Sequence, residues 1–389
     1  MAIPLSYNLR NLAVRRVTTT MTALGTALSV AVLVAVLALV QGLRTSFVIA
    51  GNPNDLLVMR KGSTSELVSV ITRSNFQDIK DFDGVAHDAS GQPLASLEMV
   101  TVINLENGPG GREMNVNLRG ITPIGAAMRS TVHLREGRFF QPGKREIVVG
   151  ASIADRFPSA RVGSVLHFGR GHRDWTVVGI LDGGRSVFNG EIWGDLNQIS
   201  EAYDRSGYLS SAVLRVQPGR ILDVKRRLEQ DRRFNVIAQP EQKYYEDQMV
   251  NAAPIQFMGT FVALIMAIGS SFAAMNTMYA AVARRSAEIG TLRVLGFSRI
   301  SILLSFVAES VCLSLFGGIA GCLLALPLNY INTDIGSFTT WSHFTFNFNV
   351  NPTVMLTGLL FATIIGALGG FLPARNAANR QIVAALRAR

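Results

Sequence analysis

Four uncharged stretches decide most of what this 389-residue chain can become. A helix needs about 20 consecutive apolar residues to cross the hydrocarbon of a bilayer. The first stretch, Met21 to Leu43, lies in a run with no charge between Arg16 and Arg44. The second, Pro254 to Val282, lies between Asp247 and Arg284, and the fourth, Pro352 to Leu372, stops at Pro373 and Arg375. The third, Ile300 to Leu328, contains one acid, Glu309, which is costly in lipid unless it faces protein or an interface. All four are long enough to span. The first exceeds the apolar core of a secretory signal and lacks a small-x-small cleavage site, so it reads as a retained span. The expected fold is therefore a membrane protein: four transmembrane helices, with a large α+β extracytoplasmic domain between helices 1 and 2. A mean hydropathy of +0.28 agrees with this class.

Charge gives the orientation. The 37 basic and 27 acidic residues leave a net +10, and the excess lies beside the spans. Arg10, Arg15 and Arg16 precede the first; Arg284, Arg285, Arg293 and Arg299 separate the second and third; Arg375, Arg380, Arg387 and Arg389 follow the fourth. The segment between spans three and four, 329–351, has no Lys or Arg. Positive residues mark the cytoplasmic side, so both termini are expected there, in a bacterial cytoplasmic (inner) membrane. The arginines meet anionic membrane lipids, and no nucleic-acid partner is called for. The expected plan is a cytoplasmic amphipathic helix 1–20, span 21–43, outer domain 44–250, span 254–283, cytoplasmic loop 284–299, span 300–328, outer loop 329–351, span 352–374 and tail 375–389.

The outer domain shows strand signals and poor catalytic ones. "EMVTVINL" and "MNVNLRGI" flank a glycine-rich turn as a hairpin, and "REIVVGASIADRF" reads as a strand leading into a short helix. "SVLHFGRGHRDWTVVGIL" reads as two strands about a glycine turn, "DVKRRLEQDRRF" as a helix and "NVIAQP" as a strand. His87, His133, His167 and His172 lack metal-ligand spacing. The "PGKRE" at Pro142 to Glu146 is no nucleotide-binding loop, because Arg138 and Arg145 occupy the places of its first Gly and its Ser or Thr. No catalytic residue, bound cofactor or metal site is expected in this chain. Cys312 and Cys322, ten residues apart on one span, cannot bridge each other and are expected to pack.

The loop between spans two and three is more than a connection. "SAEIGTLRVL" places Ile289, Leu292, Val294 and Leu295 as apolar positions against Glu288 and Arg293, which predicts a short helix along the membrane, and Gly296 stops it. The stretch Arg284 to Gly321, "RRSAEIGTLRVLGFSRISILLSFVAESVCLSLFGGIAG", resembles the MacB/FtsX/LolC-type ABC-transporter permeases. In the outer domain "LREGRFFQPGKREIVVGASIADRF", "VGSVLHFG" and "WTVVGIL" resemble the MacB-like periplasmic core domain.

The resemblance implies a non-catalytic permease subunit. Ala287, Glu288, Ile289, Gly290, Leu292, Arg293, Leu295 and Gly296 would form the coupling helix that docks on an ABC ATPase dimer. ATP and Mg would be bound by that partner, and a second permease copy or paralogue would complete the unit. It further implies mechanotransmission to the outside, with export of a lipid, peptide or macrolide-like substrate through a periplasmic adaptor and an outer-membrane channel. The alternative is an FtsX-like regulator that activates a cell-wall hydrolase without transport. Small residues spaced four apart, Gly25 with Ser29, Gly317 with Gly321 and Gly366 with Gly370, predict close helix packing. "HFTFNFNV" alternates as a strand in the loop before span four.

Overall fold

The computed structural model describes residues 16–106, 113–184, 186–248, 253–336 and 343–379. The expected N-terminal surface helix lies mostly outside them. Two compact units emerge: Met1–Gln41 with Ala252–Ile331 and Phe348–Arg389, and Gly42–Asn251 with Asn332–Asn347.

The first unit is helical. Helix α1 (Arg16–Ala50) overshoots the expected span at both ends, because Arg44, Thr45 and Ser46 end the hydrophobic run without breaking the helix. Its apolar part, Thr19–Phe47, and those of the three later long helices have membrane-spanning length and hydropathy.

In the second unit, β1 (Asp55–Arg60), β2 (Ile71–Thr72) and α2 (Arg73–Lys80) precede the long hairpin β3 (Ala95–Glu106) and β4 (Glu113–Ile121). The chain continues as α3 (Pro123–Met128), β5 (His133–Gly137), β6 (Glu146–Gly150), α4 (Ala151–Arg156), β7 (Val165–Phe168) and β8 (Arg173–Asp182). Then come β9 (Glu191–Asp195), α5 (Leu196–Ala202), β10 (Tyr208–Leu209), β11 (Ser211–Arg215), α6 (Ile221–Gln230), β12 (Val236–Pro240) and α7 (Glu241–Gln248). The predicted helix from Asp223 stops at Gln230, earlier than its pattern suggests, because the Asp231 carboxylate accepts from the Arg233 backbone N–H and forms a competing turn.

Ten strands form one mixed sheet in the order β12-β1-β11-β3-β4-β9-β6-β8-β5, with β7 beside β8. Register divides its middle strands into two faces. Leu56, Val58, Ala212, Leu214, Leu97, Met99, Val116, Leu118 and Ile192 form one, the apolar core. Alternation then sends Asp55, Arg215, Ser211, Glu98, Arg119, Glu191 and Trp193 to the opposite face. That face is largely buried as well.

The remaining helices complete the first unit: α8 (Ala253–Arg284), α9 (Ser286–Val294), α10 (Arg299–Ala325) and α11 (Pro352–Asn379). Helix α11 does not stop at Pro373 as expected but runs through it to Asn379. Proline removes one backbone donor and kinks a helix without having to end it. Between α10 and α11 the chain pairs β13 (Asn332–Gly336) with β14 (His343–Asn347), a hairpin that clusters with the sheet-containing unit.

Glycines set the helix contacts. A methyl on Gly317 would come within 2.6 Å of the Ala23 carbonyl oxygen, and one on Gly321 within 2.5 Å of that of Ala27, so α10 lies directly against α1. Gly366 and Gly370 bring α11 equally close to Val311, Ser314 and Ser310. Ser29 is buried and donates to the Met266 carbonyl of α8 at 3.3 Å. Gly25 corrects the expected pairing: it is exposed, a methyl there would meet no atom within 4 Å, and Thr26 and Ala27 face α10 in its place. Gly358 against Val34 and Gly369 against Ala274 make equally close contacts that spacing alone does not single out, since small residues are common all round these spans.

Candidate coupling site

One residue, Arg285, joins α8 to α9, so the two helices meet without a flexible linker. Helix α9 ends in a Schellman cap. The Phe297 N–H donates to Leu292 O at 3.1 Å, the Gly296 N–H to Arg293 O at 3.2 Å, and Gly296 adopts φ +92°. Ser298 then caps α10 by accepting from the Ser301 N–H.

The helix has an anchored side and an open side. Ile289 is 2% exposed and packs with Met278, Val282, Ile302, Phe306, Ala374 and Ala377 from α8, α10 and α11. Gly290 and Ser286 are buried beside it. Ala287, Glu288, Thr291, Val294, Leu295 and Gly296 are exposed, Val294 and Leu295 at 63% and 65%, while Leu292 and Arg293 are half-buried. The predicted residues therefore divide: Ile289 and Gly290 hold the helix to the bundle, and Ala287, Glu288, Leu295 and Gly296 are presented outwards. Two further partners lie outside the predicted set. Arg285 meets Glu309 at 3.0 Å inside the bundle, and the signal for it is the lone acid in an apolar span.

A second ordered site lies in the other unit, on the charged sheet face. Arg119 donates to both Glu191 oxygens at 2.9 Å, to Glu98 at 2.8 Å and to Glu66 at 3.1 Å. Arg129 forks onto Glu98 at 2.7 and 2.9 Å and lies 3.7 Å from Glu241. Arg215 pairs with Asp55. Burial would raise Glu98, but Arg129 and Arg119 overcome it and hold its carboxyl below the usual range. At Glu241 burial wins over Arg129 and pushes the carboxyl up to about 8. Burial also raises Asp55 despite Arg215.

This charged face lies where the chain enters and leaves the unit. The Asn52 N–H donates to Glu241 at 3.2 Å, Phe47 stacks on Tyr245 at 6.1 Å, and a methyl on Gly51 would meet the Gln242 backbone at 2.7 Å. The end of α1 and the start of α7 are thus clasped together. At the β7–β8 turn, His167 rather than His172 meets Asp174, at 2.8 Å on the surface. Among the described residues no three His, Cys, Asp or Glu side chains cluster as metal ligands.

Family models match both parts of the chain. Residues 19–231 match the MacB-like periplasmic core domain, and residues 260–382 the FtsX-like permease C-terminal part. The macrolide export ATP-binding/permease protein MacB of Acinetobacter baylyi is 35% identical over 127 residues, 32% of this chain and 18% of that protein. The protein of the same name in Nitrobacter winogradskyi is 25% identical over 403 residues, 96% of this chain and 58% of that protein. In neither case does the chain span two thirds of its relative. The crystal structure of the periplasmic region of MacB from Actinobacillus actinomycetemcomitans aligns with a TM-score of 0.38 and 11% identity, covering 51% of this chain and 93% of that one.

Proposed function

The chain belongs to the family of membrane proteins with a MacB-like periplasmic core domain and an FtsX-like permease part, and from that premise we propose that it is the permease subunit of an ABC transporter, driven by ATP hydrolysis on a separate subunit. The observation that carries this reading is α9: a short helix with its inner side bolted through Ile289 to three long helices and its outer side open. Such a part passes a push on its exposed residues straight to the spans. Helix α9 and both termini face the cytoplasm, as the arginines beside the spans argue. ATP and Mg belong to the partner ATPase dimer, and the chain itself catalyses nothing. Two copies of the permease, or a copy and a paralogue, complete the transporter.

The clasp at Asn52 and Glu241 supports mechanotransmission, since movement of α1 or α7 carries the charged sheet face with it. Substrate is taken up on the outer side, because the spans expose mainly Leu, Ile, Val and Phe and offer little polar lining for a route through the bilayer. A lipid, a peptide or a macrolide-like compound suits that route, handed to an adaptor and an outer-membrane channel. The test is purification of the full chain from its native membrane. A nucleotide-binding subunit should co-purify, and Leu295→Asp should abolish its association. An intact chain that carries no ATPase, or a thiol probe reaching Ala287→Cys only from outside the cell, would overturn the proposal. An ATPase whose loss abolishes wall hydrolysis while export of every tested compound persists would favour the regulator.

A further inference from the structure

Arg285 lies on the one-residue joint between α8 and α9, yet its side chain is inside the bundle, 6% exposed. Its Nη1 donates to Glu309 Oε2 at 3.0 Å, its Nε to Glu288 Oε2 at 3.1 Å, and its guanidinium carbon lies 5.2 Å from the centre of the Phe306 ring. Phe306 and Glu309 are one turn apart on α10, so ring and carboxylate receive the same guanidinium from one face of that helix. Glu309 is as deeply buried as Arg285, whereas Glu288 stands on the open side of α9 at 57% exposure.

Apolar packing at Ile289 holds α9 against the bundle but is non-directional, and by itself leaves the helix free to roll. A guanidinium bonded to two carboxylates fixes an angle. A buried ion pair is a poor source of stability and a good source of a unique arrangement. Here it ties the joint, the exposed side of α9 and the third turn of α10 at one point.

We propose that Arg285 and Glu309 form a positioning pair that sets the angle of α9 on α10 and passes load from Glu288 to the third span. The proposal rests on the coupling reading of α9, and its test separates the two. A spin label on Thr291→Cys, with Cys312 and Cys322 replaced by Ser, reports the motion of α9 in the full chain in lipid nanodiscs. Glu309→Gln and Arg285→Gln should each shorten the label's rotational correlation time several-fold. The swap Arg285→Glu with Glu309→Arg should restore it. Labels as immobile in the single variants as in the parent would overturn the proposal, as would a swap no better than either single. Should the singles fail to insert, the swap decides alone: an ordered label sustains the pair, and a mobile label or absence from the membrane refutes it. The co-purifying ATPase gives the second readout, with ATP hydrolysis lost in the singles and recovered in the swap. Absence of any ATPase would remove the coupling reading and leave the spin-label result standing.

Discussion

Replacing Arg119 by methionine tests the buried ion face most severely. Methionine keeps an unbranched apolar stem and removes the guanidinium. Arg119 is 2% exposed and donates to three carboxylates that are each buried. Glu98 keeps Arg129, so Glu66 and Glu191 lose their cationic partner. Removing one partner of a buried ion pair costs about 3–5 kcal/mol. With two acids stranded, we expect about 5 kcal/mol. For a domain of this size each kcal/mol moves the melting midpoint by about 2–4 °C, which gives a drop of roughly 10–20 °C. The assay is thermal unfolding of the full chain in detergent at pH 8, followed by fluorescence of its three tryptophans, among them Trp193, whose indole N–H donates to Glu191 at 2.8 Å. Arg170→Met, in an exposed pair with Asp204, should change little. A methionine variant melting within about 2 °C of the parent at pH 8 would refute the reasoning.

Four other outcomes are expected. Glu241→Gln should raise the midpoint at pH 8 and flatten its pH dependence. With a folded value of about 8 against an ordinary 4.5, this carboxyl supports the fold below the unfolded value and withdraws that support as pH rises towards 8. Paired melts at pH 5 and pH 8 check this. Gly321→Leu should block packing on α1 and lose folded protein on size-exclusion chromatography, whereas Gly25→Leu should behave as the parent. Ile289→Ala should lower thermal stability by about 2–4 kcal/mol through the cavity left at the foot of α9, while Leu295→Ala should leave the melt unchanged and weaken ATPase binding in a pull-down. Gly296→Ala must hold φ near +92°, costing about 1 kcal/mol and fraying the end of α9, which backbone hydrogen exchange would register at Gly296 and Phe297.

Hydropathy and punctuation make much of this molecule legible. The four spans, the short helix closed by Gly296, and the pairs β3–β4 and β7–β8 all follow from local pattern. The charged sheet face does not. Glu66, Glu98, Arg119 and Glu191 are far apart along the chain, and those on strands occupy the positions that ordinarily meet water. Only strand order brings them together beneath α7. Helix ends are hard to read for a related reason: Arg44 and Pro373 change solvation or remove one hydrogen bond, and neither alone unwinds a helix held by its neighbours. On the spans, four-residue spacing picks out pairs of small residues but not the direction in which each faces, so it groups Gly25 with Ser29 although Gly25 is exposed and meets no neighbouring helix. Arg285 stands among other arginines, and nothing near it in sequence indicates Glu309, 24 positions on.

The β13–β14 hairpin gives the sheet-containing unit two independent covalent roots. It is stitched to the helices at Gln41–Gly42 and Asn251–Ala252, and again at Ile331–Asn332 and Asn347–Phe348. A single cleavage between β13 and β14 would therefore leave Gly42–Asn251 covalently continuous with α1, α8 and α10 and detach only α11, whereas one within Gly42–Asn251 would part α1 from the other three.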